Sequence, residues 1–132
     1  MNISDLARSG ATLVKLTGFL HAETQSEFVA ILFSFENKPA LLLVVDPDTD
    51  SMSWQNTEPT GLEKIAIENI YPKVQIAYGL QLAWVWEMNN QQGYFDAFQM
   101  ELVDASLKNE QTFQFKASAS RIELFEVLKS SS

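Results

Sequence analysis

The chain has 132 residues, 46% hydrophobic and 20% charged, which suits one globular domain spanning 1–132 with a real core and excludes a disordered chain. It has no cysteine, so disulfides, thiolate metal sites and thiol redox chemistry are excluded. A formal net charge of −8 repels phosphate backbones and argues against nucleic acid as a partner.

Residues 1–10 carry Asp5 and Arg8 and no apolar run, so no signal peptide is expected. The longest apolar runs, 40–45 and 82–86, are too short to span a bilayer, and a cytoplasmic protein without membrane attachment is the expectation. Residues 2–9 predict a short helix, with Ile3 and Leu6 spaced for one face and Gly10 to end it. Residues 11–22 read as a strand, with Val14, Leu16 and Leu20 on one side. A second strand, 27–35, is rich in Phe, Val and Ile. Glu36-Asn37-Lys38-Pro39 is a turn, and 40–45 is a third strand, apolar on both faces and so central.

Residues 46–60 read as a polar loop. From Asp46 to Glu68 six carboxylates stand against Lys64 alone. Asp46-Pro47-Asp48-Thr49-Asp50 opens like a calcium loop. However, Ser51 stands where that motif needs glycine, and Thr57 where it needs a bidentate glutamate. No metal site is expected. Asp46, Asp48, Asp50 and Glu58 are instead the candidate docking residues for a basic protein partner. The plainer reading is a solvated face that keeps the chain soluble. Thr60 and Glu63 have capping-box spacing, and Leu62, Ile65, Ala66 and Ile70 then predict a short helix ended by Pro72.

Residues 80–103 alternate as a hairpin. Folding at 89–93 so that Met88 faces Tyr94 sets Trp86 opposite Asp96, Trp84 opposite Phe98 and Leu82 opposite Met100. That register puts both apolar sets on one buried face. Trp84, Trp86, Tyr94, Asp96 and Phe98 then form the candidate ligand pocket, aromatic walls with one acid for a cationic or hydrogen-bonding ligand. The plainer reading makes the aromatics core and puts Asp96 at the turn or the sheet rim. A polar connection at 104–110, strands at 112–117 and 121–128, and a frayed serine tail at 130–132 complete the chain.

The sum is a mainly β fold: a single antiparallel sheet of about six to seven strands, strongly curved or barrel-like, with one or two short helices. An α+β sheet with a helix on one face is the alternative. His21 is the sole histidine, so a Ser-His-Asp triad or a histidine zinc site would rest on it alone. The glycines are isolated, without a phosphate-binding loop. No catalytic residues and no cofactor are expected. The elements Trp84-x-Trp86 and Gly93-Tyr94-x-Asp96-Ala97 have the look of a small bacterial family and name no activity. In general character the chain is similar to the immunity proteins that neutralise bacterial toxins. That resemblance implies a protein-interaction module, immunity-like or an adaptor. A small-ligand binder is the alternative, and an enzyme comes last.

Overall fold

A computed structural model describes residues 2–23, 27–106 and 110–127. A six-residue helix α1 (Ile3–Arg8) opens the chain. Asn2 and Asp5 form a reciprocal capping box, and Ile3 and Leu6 are buried, as their spacing predicts. Nine strands follow in one antiparallel sheet: β1 (Leu13–Leu20), β2 (Phe28–Phe35), β3 (Leu41–Asp46), β4 (Ser51–Gln55), β5 (Glu63–Ala66), β6 (Gln81–Asn89), β7 (Phe95–Val103), β8 (Glu110–Ser118) and β9 (Arg121–Val127). Two 3-10 turns, Ile67–Asn69 and Pro72–Ala77, lie between β5 and β6.

The main path runs β4-β3-β2-β9-β8-β7-β6, with β1 on the second edge of β2 and β5 on the far edge of β1. β2 pairs with β3 from Ala30 to Phe33 and then hands over to β9, where Phe28 faces Ile122. At the other end Thr12 bridges Gln81, the first residue of β6. The sheet therefore curls toward itself as a half-barrel. The curved, mainly β reading holds, and the α+β alternative does not, because among the described residues no long helix covers a face.

Two elements differ from expectation. β4 lies inside the segment read as loop: Met52 is buried and Trp54 half-buried, alternating with Ser51, Ser53 and Gln55. Two apolar residues among serines are too weak an alternation to see in a sequence. Residues 61–70 give strand and then 3-10 turn rather than helix. Gly61 has φ of +77°, which cannot begin a helix, and β1 offers a free ladder from Thr17 to Leu20 that β5 takes.

The core closes around Phe33. Its ring meets Trp54 at 5.6 Å, Phe98 at 6.0 Å and Phe115 at 5.1 Å, all tilted edge-to-face. A smaller cluster of Phe19, Ala30 and Leu42 lies on the outer side of β1–β3 under Leu62. Tyr78 supports β1 from outside the ladder. Between Leu13, tied to Gly79 and Leu80, and Thr17, which faces Ala66 at the end of β5, the Leu16 N–H would lack a strand partner. It donates to the Tyr78 hydroxyl at 3.1 Å, which in turn donates to Glu68 Oε1 at 3.1 Å. Burial, reinforced by the Glu68 carboxylate, pushes the phenol up to about 12 against the lowering effect of the Leu16 N–H.

Candidate functional site

The β6–β7 hairpin forms where the alternation predicts, in a different register. Trp84 faces Glu101, Val85 faces Met100, Trp86 faces Gln99 and Glu87 faces Phe98. The shift from the expected pairing is three residues, and an odd shift exchanges the faces of one strand. A bulge between Leu82 and Trp84 accompanies it. Leu82 stays buried before the bulge, and after it Val85 packs on the core while the tryptophans turn outward. Trp84 is 62% exposed and Trp86 44%, whereas Phe98 is fully buried. The two indoles lie against each other, ring centroids 6.5 Å apart and planes 23° from parallel.

The expected aromatic pocket is therefore divided. Trp84 and Trp86 stand on the outer face and Phe98 in the core behind the sheet. Asp96 is half-buried near the start of β7, at a second register shift between Met88 and Asn89 where it is the extra residue, and it does not meet Trp86 across the hairpin. Tyr94 is 41% exposed in the connecting loop, where Asn90 Oδ1 accepts the Tyr94 N–H at 3.2 Å.

What the outer face builds instead is a platform. Across the sheet, Trp86 faces Gln99, Gln99 faces Gln114 and Gln114 faces Phe125. Three inter-strand spacings of about 4.8 Å separate Trp86 from Phe125 by about 14 Å. Gln99 Nε2 donates to Gln114 Oε1 at 2.6 Å, which locks the middle of the row, and Phe125 is 43% exposed at its end. Glu101 sits directly opposite Trp84. Sequence reading missed the glutamines and Phe125. Phe125 falls out of phase with Ile122 and Leu124 in its strand, and that was the available signal.

The acidic candidates hold local structure. Asp46 Oδ1 accepts the Asp48 N–H at 2.9 Å, forming the β3–β4 turn. Asp50 Oδ1 accepts the Ser120 N–H at 2.7 Å and so clamps the β8–β9 connection, where Ala119 and Ser120 both adopt positive φ. Glu58 pairs with Lys64 at 2.6 Å. Asp48 is exposed. Beside this turn lies a cleft of about 330 Å³, floored by Val29, Val44 and Leu62 and rimmed by His21, Glu27 and Arg121. Arg121 is held there by Glu27 at 3.1 Å and Glu123 at 3.2 Å. Among the described residues no group of three or more His, Asp or Glu could hold a metal ion. No helix among them is long and apolar enough to cross a membrane.

Fold and surface together define a small half-barrel that displays a rigid aromatic platform on one outer face. The chain belongs to a family of unknown function, DUF6334, which matches residues 1–131. No curated protein and no solved structure matches it.

Proposed function

We propose that the protein is an interaction module, immunity-like or an adaptor, that docks a basic protein partner on the outer face of β6–β9 in the cytoplasm. The observation that carries this reading is the stacked, exposed Trp84–Trp86 pair on a rigid sheet. Leaving two indoles in water costs hydrophobic free energy that burial against a partner would recover. Tryptophan is also the residue type most enriched among interface hot spots. The chemistry of the partner follows from charge. The chain carries a net charge of −8, Glu101 stands on the platform directly opposite Trp84, and from Gln81 to Val103 there is no Lys or Arg. A lysine or arginine laid over an indole beside Glu101 gains both cation–π and ionic attraction. The acidic segment Asp46–Glu68 adds long-range steering to this contact.

The test is capture from the native host by the wild-type protein and by the Trp84→Ala/Trp86→Ala variant, followed by titration of each purified partner. The reading expects a partner rich in Lys and Arg, bound at least tenfold more weakly by the double variant. Equal binding of every captured protein by the two forms would overturn it.

A further inference from the structure

The geometry points to the way such a partner binds: an extended segment of a basic protein adds as a new strand to the open edge of β6, within the cleft between β6 and α1. This inference rests on the docking reading above and supplies its backbone component. β6 ends the strand path, with β7 on one side. On the other side Thr12 bridges Gln81 and the Leu82 N–H reaches Ala11 O at 2.8 Å. Beyond that point, residues 83–89 meet no further strand among the described residues. Because the Leu82 N–H points to Ala11 and so away from β7, its partner Leu102 directs its own main-chain groups away from β6. The alternation along β7 gives Met100 and Phe98 the same sense, so their partners Val85 and Glu87 present N–H and C=O to the open edge.

A cleft of about 420 Å³ runs beside this edge, lined by Ser4, Ala7 and Arg8 of α1 and by Ala83, Trp84 and Val85 of β6. A helix beside an open strand edge is the receptor geometry of β-strand addition, where main-chain bonds give affinity and alternate side chains give selectivity. Natural sheets guard such edges above all with Lys and Pro. From Trp84 to Asn89 there is neither, and the one charge, Glu87, is an anion opposite Phe98 that a cationic strand would neutralise. Charge also selects the occupant. A second copy of this chain would bring the same carboxylates and its own net charge of −8. A basic strand instead sets its outward side chains beside Trp84 and Trp86, with Glu101 one strand further in, and Arg8 at the cleft is already paired with Asp5 at 3.5 Å.

The probe is an end-blocked octapeptide alternating Arg and Val, titrated by tryptophan fluorescence, with amide hydrogen exchange read at Val85 and Glu87. Strand addition expects saturating peptide to slow exchange at both amides by tenfold or more. Glu87→Pro removes an outward N–H at an exposed edge position, where proline is tolerated. It should weaken binding at least tenfold, while Glu87→Gln, which removes only the charge, weakens it a few-fold. Unchanged exchange under saturating peptide, no binding of the peptide at all, or equal affinities of the two Glu87 variants would overturn the proposal. Slowed exchange with equal binding by Trp84→Ala/Trp86→Ala would support strand addition and count against the aromatic docking face. Binding that survives Glu87→Pro but fails in the tryptophan variant would overturn strand addition and leave the docking face standing.

Discussion

A Cβ built on Gly18 would stand 2.2 Å from the Phe28 ring, and Phe28 is 1% exposed. The ring therefore uses the space that a side chain on β1 would fill, and it has no solvent to retreat into. Gly18→Ala should destabilise the fold by about 1–3 kcal/mol in urea unfolding, the cost of overpacking a tight core. On a Phe28→Ala background the same substitution should cost little; an equal cost there would show that the ring contact is not the cause. Burial also separates Phe98 from Trp84. Phe98→Ala should cost about 3–5 kcal/mol, whereas Trp84→Ala should stay within about 0.5 kcal/mol, as thermal unfolding can measure. Tyr78 adds a pH dependence. Its folded pKa of about 12 lies above the ordinary 10, so the fold favours the neutral phenol. The resulting stability is complete below pH 10 and is lost as pH rises from 10 through 12. Tyr78→Phe should flatten that alkaline decline in a series of unfolding midpoints. An unchanged slope would mean that another group titrates.

At the scale of elements, the existence of strands was legible and their register was not. Alternation marks 81–89 and 95–103 as partners, but every large apolar residue in that stretch looks like core until a bulge at Ala83 exchanges the faces. Nothing in Leu82-Ala83-Trp84 announces a bulge, since the extra residue is an alanine rather than a glycine. The same limit hid the platform, because its row depends on four strands meeting in one register. α1 and β3 were readable because each satisfies a local rule, the Ile3–Leu6 spacing ended by Gly10 in one and a continuous apolar run in the other. The β8–β9 connection shows a local rule broken. Ser118 faces Arg121, so Ala119 and Ser120 form a two-residue turn, with φ of 51° and 67°. Such turns favour Asn followed by Gly. The Ser120 N–H bond to Asp50 and the Ser120 hydroxyl bond to Pro47 O at 3.2 Å hold the strained pair in place. Ala119→Asn should relieve the strain without touching either bond, raising stability by about 0.5–1 kcal/mol. A loss in denaturant titration would show that the turn is not strained at Ala119.

For the whole molecule, the question is which carboxylates a basic partner of the proposed kind would sense. The β3–β4 turn lies against the β8–β9 connection, while Trp86 sits three strands across and several residues along the sheet. Strand spacings of about 4.8 Å and rises of about 3.3 Å per residue put the two roughly 20 Å apart. That exceeds the Debye length of about 8 Å at 0.15 M salt and falls within the roughly 30 Å at 0.01 M. The turn is also less free to vary than its exposure suggests: Asp50 holds Ser120 and Glu58 pairs with Lys64, so Asp48 is the clean probe there. With the Arg–Val octapeptide in stopped flow at 0.15 M salt, Asp48→Asn should leave the association rate nearly unchanged. Glu101→Gln, directly opposite Trp84, should slow association several-fold. At 0.01 M salt Asp48→Asn should also slow it, because the field of the turn then reaches the platform. The opposite ranking at 0.15 M would move the docking face to the turn and to the cleft beside Arg121.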